Sequence, residues 1–528
     1  MTVPGLRVDV AVVGGGLGGC AAALAAAEQG CSVALTEEAA WEGGQLTAQA
    51  VPPDEHPWIE TCGGTRRYRE LREGVRRQYR SRPLRPEALA DPRLNPGGGA
   101  VSRLCHEPAM ALAALREMLA PHVRAGRIHI LRRIRPLGAD AAGDRVRAVL
   151  LRDLGGGGPG AAGFELAASQ FLDATEMGEL LPLCRAEYVA GAEAASETGE
   201  PHAAAAPDPR NQQAFTVCFA LEICPGEDHT IARPAEYGFW RDLHPAGWPG
   251  ALLSFRYPDP RTLEAVTRPL FAPPGAPSLW RYRRILDAGL YRPEAGVQDV
   301  TLVNWPQNDY FLGPLCEVPP EEAERHLAAA RALSLSLLYW LQTEAPRADG
   351  GVGHPELRLR SDLLGDGPDG LALRPYVRES RRIRALRTVR EQDVAAAVRP
   401  DGAEPFADSV GVGAYRIDLH PSSAGDPYID IGAWPFQIPL GALVPVRLRN
   451  LLAAAKNIGV THVTTGCYRL HPTEWNVGEA AGALAAFCLR RRTEPHAVAA
   501  RPALLEEFQA LLRRDGVELE WTVPVRPL

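Results

Sequence analysis

Apolar and polar positions change rhythm along this chain. Residues 10–13 form an unbroken apolar run and 33–35 another, separated by an alanine-rich stretch, as expected of two buried strands joined by a helix. Helical spacing returns at 66–79 and 107–119, and short strand-like runs follow at 128–131, 146–151 and 170–173. The many charges of 66–79 read as a solvated helix face. The glycine-rich stretch 155–163 reads as the most flexible loop.

The middle of the chain has another pattern. Residues 215–223, 251–257 and 299–305 alternate or run apolar with aromatics, without regular helices between them, and predict an antiparallel sheet. Residues 319–344 predict one long amphipathic helix, opened by Pro-Pro-Glu-Glu. Beyond it, 435–445 reads as a proline-bounded loop and 448–455 as a strand. From Gly466 a small-residue helix is expected to reach the neighbourhood of Arg490.

Composition narrows the partners. A chain of 528 residues is too long for one compact core. A net charge of −7 carries no polyanion-binding signature, so nucleic acid is not expected. The ten cysteines include no C-x-x-C pair and no Cys/His cluster at zinc spacing; reduced thiols, no metal and a cytoplasmic setting follow as expectations. Residues 1–8 lack the pattern of a secretory signal, and no apolar run has the length of a membrane span. Among the 57 basic residues the only lysine is Lys456, whose compact amine has a movable pKa and makes it a catalytic candidate.

The chemistry concentrates in a few stretches. Gly14, Gly16 and Gly19 stand at G-x-G-x-x-G spacing, with Leu17 and Gly18 inside the turn, directly after the first strand. The first glycine permits a tight turn, the second a close approach of backbone to a pyrophosphate, and the third close packing of helix on strand. The helix start then offers unpaired N–H groups to phosphate. Glu37 and Glu38 end the second strand, where a carboxylate meets a ribose. The Gly43-Gly44-Gln45-Leu46-Thr47 segment lets backbone approach a flat ring. Strand 170–173 ends in Ala174, Thr175 and Glu176, small and polar enough to accept a cofactor edge. Asp418 and His420 share a strand face by period two, as base and orienter or as a plain surface pair.

Together these segments resemble the FAD-dependent oxidoreductases with a glutathione-reductase-type cofactor domain. The resemblance rests on the glycine turn with Glu37, on Gly43 to Thr47, on Asp173-Ala174-Thr175, and on Asn476-Val477-Gly478 opening the last helix. Arg378-Glu379-Ser380-Arg381-Arg382 and Lys456-Asn457 further resemble a bacterial branch of undefined substrate. It implies an α/β fold: a discontinuous Rossmann-like FAD-binding domain with an inserted α+β antiparallel-sheet substrate domain. The expected boundaries are 1–190 for the first FAD-binding part, with a helical excursion near 55–100, and 191–400 for the substrate domain. The FAD-binding domain then resumes over 401–490, and 491–528 forms a tail helix. FAD is the implied cofactor, a small organic substrate and oxygen or another acceptor the implied partners.

The implied reaction is a dehydrogenase or oxidase step, hydride passing to the flavin from a C–H next to nitrogen or oxygen. Missing C-x-x-C and a missing second glycine motif argue against a disulfide reductase. Ring-facing positions of the family suggest Gln45, Tyr468, Arg469 and His471, with His420 or Lys456 as base or flavin-edge partner. Arg378 or Arg381 is expected to hold a substrate carboxylate, or else to sit in an ion network with Glu379. Two other readings stay open. Trp434-Pro-Phe436-Gln-Ile438-Pro439 is similar to a segment of flavin-dependent halogenases, which implies a monooxygenase or halogenase served by a separate reductase. A non-catalytic FAD-binding role is the third.

Overall fold

The computed structural model describes residues 5–155, 163–273, 275–365, 367 and 369–528. Of the glycine-rich stretch 155–163, residues 156–162 lie outside the described residues. Strand β1 (Leu6–Val13) is central in a seven-stranded sheet. Around it lie β2 (Val33–Glu37), β3 (Ile128–Arg132), β4 (Ile134–Ala142), β5 (Arg145–Asp153) and β6 (Phe164–Asp173), in the order β3-β2-β1-β6-β5-β4. β1, β2, β3 and β6 run parallel, whereas β4, β5 and β6 form an antiparallel meander. β5 pairs only with the first part of β6, through Ala167. The free edge at Phe171–Asp173 is taken, in parallel, by Leu451–Ala453 from the far end of the sequence. One sheet thus joins the two ends of the chain.

Helix α1 (Leu17–Glu28) is apolar all round, as a helix covered on every side must be, and Leu17 to Ala27 are buried. It lies against the helix His471–Arg491. A Cβ on Gly478 would stand 1.9 Å from the Gly18 carbonyl oxygen, and one on Gly482 2.1 Å from that of Ala22. These glycines therefore set how closely the two helices approach. This corrects the expectation that Asn476-Val477-Gly478 opens the last helix. The segment from Gly466 is two helices, His462–Tyr468 and His471–Arg491, and the second starts with Pro472 in its first turn, where a missing N–H is tolerated.

A second core lies under the middle of the chain. Arg284–Leu286, Val300–Val303, Phe219–Ile223 and Leu357–Leu359 form a four-stranded antiparallel sheet in that order. The helix Pro320–Thr343 lays Leu333, Leu337, Leu338 and Leu341 against Phe219, Leu221, Val303 and Trp305. The strand expected at 215–223 divides, because Phe215–Thr216 pairs with Asp309–Tyr310 instead of the larger sheet. The one expected at 251–257 is reduced to a short hairpin, Arg256–Pro258 with Ala265–Thr267. The loop expected at 435–445 contains a strand, Phe436–Pro439, paired with Ser409–Gly413. Its prolines flank or finish the strand, where a lost donor costs little.

Helix α2 (Arg66–Arg80) overturns another expectation. Arg67, Arg72 and Arg76 are buried rather than solvated, Arg72 paired with Glu55 at 2.8 Å and Arg76 with Glu60 at 2.7 Å. Glu55 and Glu60 of the preceding loop and Glu479 of the helix His471–Arg491 cover this face, which no local pattern discloses. Among the described residues no helix is long and apolar enough to cross a membrane. All ten cysteines are free and buried.

Candidate functional site

The site starts where β1 ends. Gly14 has φ of 105°, and a Cβ there would meet the Ala174 carbonyl oxygen at 2.2 Å, so only glycine fits between the ends of β1 and β6. Gly16 caps α1 without a side-chain acceptor, leaving the first-turn N–H groups to outside partners. Gly18 N–H donates to Glu474 Oε1 at 3.2 Å and Gly15 N–H to Glu37 Oε2 at 3.1 Å. Glu37 also accepts from Ala39 N–H at 2.6 Å. Burial pushes the Glu37 carboxyl up to about 8, against the Ala39 N–H and the Arg374 charge.

A groove runs over this turn. Gly14, Gly16, Glu37, Glu38, Gly44, Ala174, Thr175 and Glu176 line it together, although they come from three separate stretches. Gln49 and Arg374 line it too and were not singled out in the sequence. Arg374 is paired with Glu38 at 2.8 Å. Gln49 follows the Gly43–Thr47 segment by two residues, which is the only signal that could have found it. Both amide atoms of Gln49 and Oε1 of Glu176 are buried without a partner. A glycine-floored groove, a helix start aimed into it, a ribose-type carboxylate and unpartnered polar atoms on its walls fit an FAD.

Other expected cofactor residues act from behind. Gly19 packs helix on strand, since a Cβ would lie 2.0 Å from the Gly14 oxygen. Leu17 and Leu46 are core. Gly43 N–H donates to the Gly15 carbonyl at 2.8 Å, and the Thr47 hydroxyl to the Glu42 carbonyl at 2.5 Å. Gln45 bridges Glu474 and the Arg469 carbonyl, the latter at 3.1 Å. Asn476 donates to Val412 O at 3.1 Å, and Asn476, Val477 and Gly478 do not line the groove. Lys456 is buried against Glu176. Burial opposes its charge, but Glu176 and Glu474 outweigh burial and hold the amine above its ordinary range.

A second cavity, a polar chamber, is lined in part by later residues of two segments that also line the groove. Gly44, Ala48, Gln49 and Arg374 line the groove, whereas Asp54, Tyr376 and Arg378 line the chamber. On its wall His420 Nδ1 lies 2.6 Å from Asp309 Oδ2, and Nε2 lies 3.7 Å from Asp418 Oδ2. Burial raises the Asp309 carboxyl, but Arg378 at 2.9 Å and His420 more than offset this and keep it below the usual carboxylate range. Asp418 is held low in the same way, by His420 and by Arg469 at 3.0 Å.

Arg378 is fully engaged through its terminal nitrogens, by Asp309, Thr216 Oγ1, the Ala214 carbonyl and Asn304. Arg381 is tied to Glu317 at 2.6 Å. Glu379 pairs not with Arg378 but with Arg382 at 2.6 Å and His462 at 3.0 Å. Tyr468 does not reach the chamber: its hydroxyl donates to the Gln437 carbonyl at 2.7 Å and its ring stacks on Phe436. His471 spends both ring nitrogens on the 51–54 backbone, accepting from Asp54 N–H at 3.1 Å and donating to Val51 O at 3.2 Å. Burial, then Arg283, drives its pKa well down, so it is neutral. Apart from the site, Cys224, Glu227 and His229 lie close enough to share a metal ion; His229 already pairs with Glu227 at 2.7 Å.

Parallel sheet, glycine turn and groove define a flavoprotein of the Rossmann-like class. The family model described as FAD dependent oxidoreductase matches residues 9–512, and the chain belongs to that family, with FAD as its cofactor. No curated protein matches it in sequence. Among solved structures it is similar to a geranylgeranyl bacteriochlorophyll reductase-like protein from Thermoplasma acidophilum. Identity is 10%, coverage 97% of this chain and 85% of that one, and the TM-score 0.31. OxyS anhydrotetracycline hydroxylase from Streptomyces rimosus gives 10%, 97% and 68%, and 0.34. L-proline dehydrogenase from P. horikoshii gives 16% identity over 37% of this chain and only 25% of that chain, with a TM-score of 0.18. Likenesses this weak bear on neither reaction nor substrate.

Proposed function

We propose that this oxidoreductase oxidises a small organic substrate at a C–H bond next to nitrogen or oxygen, the electrons going on to oxygen or another acceptor. The observation that carries this reading is His420, held at 2.6 Å by Asp309, on the wall of a polar chamber to which two segments of the cofactor groove also contribute. Bound FAD supplies the two-electron acceptor, with N5 as the hydride-receiving atom. The chain supplies the rest. Gly14, Gly16 and the start of α1 receive the pyrophosphate, and Glu37 the adenosine ribose. Asp309, kept anionic by Arg378, holds the Nδ1–H of His420 and leaves Nε2 to take the N–H or O–H proton of the substrate.

No observation favours the halogenase or monooxygenase reading. Trp434 spends its N–H on the Arg399 carbonyl at 2.7 Å, and Lys456 is committed to Glu176 in the cofactor half. Anaerobic mixing with a panel of amines, alcohols, amino acids and hydroxy acids tests the reaction. Bleaching of the yellow flavin band by at least one donor, without added reductase, is expected. A band that bleaches only with a separate reductase would sink the proposal.

Glu37 makes a separate prediction about cofactor affinity. Its folded carboxyl near 8 is protonated at neutral pH, whereas ribose hydroxyls donate to the charged form. FAD binding then releases a proton, and affinity rises with pH by up to about tenfold per unit until about pH 8, then levels off. Fluorescence titration of the apoprotein with FAD measures this slope. Glu37→Gln should weaken binding and flatten it; a slope that survives the substitution removes Glu37 from the ribose site.

A further inference from the structure

Hydrogen bonding in the chamber is one-sided. Among its lining residues, the buried side-chain atoms without a protein partner are the Nε of Arg283, Arg378 and Arg469, Asn304 Nδ2, Trp305 Nε1 and the Tyr428 hydroxyl. Five of these can only donate, and the sixth, the Tyr428 hydroxyl, can donate as well as accept. No acceptor-only side-chain atom of the lining is left in that condition. Buried donors without acceptors are costly, and a set of them around one cavity is retained where a ligand brings the acceptors.

Charge points the same way. Arg283 is matched by Asp54 at 3.3 Å, Arg378 by Asp309 at 2.9 Å, Arg469 by Asp418 at 3.0 Å, and Arg261 and Arg416 by Asp430. Arg268, half-buried, is the remaining arginine of the lining, and among the described residues it has no acidic partner. Its guanidinium stands 5.8 Å from the centre of the Tyr282 ring, and Arg283 stands 4.9 Å from the same ring. Arg261 and Arg416 share one carboxylate and the lining also holds Asp259, so six guanidiniums face five carboxylates, and the one positive charge in excess matches one negative charge. Tyr257, Tyr282, Tyr376, Tyr415 and Trp305 add flat apolar surface for an organic skeleton.

We propose that the chamber binds an organic monocarboxylate, with Arg268 meeting its charge and the unpartnered donors of the lining meeting its oxygens. The substrate of this oxidoreductase is then an acid, such as an amino or hydroxy acid, rather than a neutral amine or alcohol. This rests on the chamber being the substrate site. It also places the charge-matching role on Arg268 rather than on Arg378, whose charge Asp309 already meets, or Arg381, which is tied to Glu317.

Benzoate, benzamide and inorganic phosphate, added to the oxidised FAD-loaded protein, test the proposal through the flavin difference spectrum and tryptophan fluorescence. Benzoate should bind saturably, and benzamide and phosphate at least about tenfold more weakly. Arg268→Gln should weaken benzoate by about tenfold or more and bring it level with benzamide, while Arg268→Lys restores part of the preference. No saturable benzoate signal, equal binding of benzoate and benzamide, tighter binding of phosphate, or a preference unchanged in Arg268→Gln would each overturn it. Benzoate is a probe of binding alone, so the two proposals fail separately. Carboxylate preference without bleaching by any donor removes the reaction and keeps the site, and bleaching by neutral donors alone does the reverse.

Discussion

Replacing His420 by Ala will slow substrate-driven flavin reduction about 10²–10⁴-fold, the range that a positioned general base contributes. The imidazole is held from one side, with Nδ1 2.6 Å from Asp309, and its other nitrogen is left on the chamber side near Asp418. His420 lines the chamber and not the cofactor groove, so FAD content should stay at the wild-type level. Asp309→Asn is the companion variant. It removes the carboxylate that holds the imidazole in one tautomer and orientation, and so should also slow flavin reduction, though less than His420→Ala. Anaerobic rapid mixing across a pH series reads both effects. An unchanged rate and pH profile in His420→Ala would take the base away from this residue.

The cofactor half of the site was open to sequence reading because its constraints are local. Gly14, Gly16, Gly19 and Glu37 follow one another through strand, turn, helix and strand, and the spacing is itself the geometry. The chamber has no such spacing. Asp54, Arg268, Arg283, Arg378, His420 and Arg469 arrive from separate stretches, and Asp309, the partner that orients His420, carries no local pattern. Period two did bring Asp418 and His420 within 3.7 Å, although the strand ends at Leu419. Adjacency misled where the helix breaks at 469–470: Tyr468 turns into the core while Arg469 turns to the chamber. Gly478 misled for another reason. A glycine that admits a neighbouring helix and one that opens a helix read alike, and Pro472 was the signal that separated them.

Arg67→Ala should cost about 3–5 kcal/mol of folding stability, the range for removing one partner from a buried ion pair. The side chains of Arg67 and Glu479 are 2% and 0% exposed, and Arg67 also pairs with Glu28, so the guanidinium ties α2 to both α1 and the helix His471–Arg491. Glu479 accepts from Thr65 Oγ1 at 2.7 Å and Trp475 Nε1 at 2.9 Å as well. Burial already raises its pKa, with Arg67 the main opposing influence, so losing Arg67 raises it further. A raised folded carboxyl destabilises as pH climbs above its unfolded value, so the loss in Arg67→Ala should be larger at pH 8 than at pH 5. The double variant Arg67→Met with Glu479→Gln keeps acceptors for Thr65 and Trp475 while removing both charges, and should recover most of the loss. Urea melts at the two pH values decide it. A loss under about 1 kcal/mol at pH 8 would show the pair to be no stronger than a surface salt bridge. If the loss is as large as expected, FAD retention should fall with it, because the three helices tied here include α1, whose cap residue Gly16 lines the groove, and the helix that carries Glu474 to Gly18.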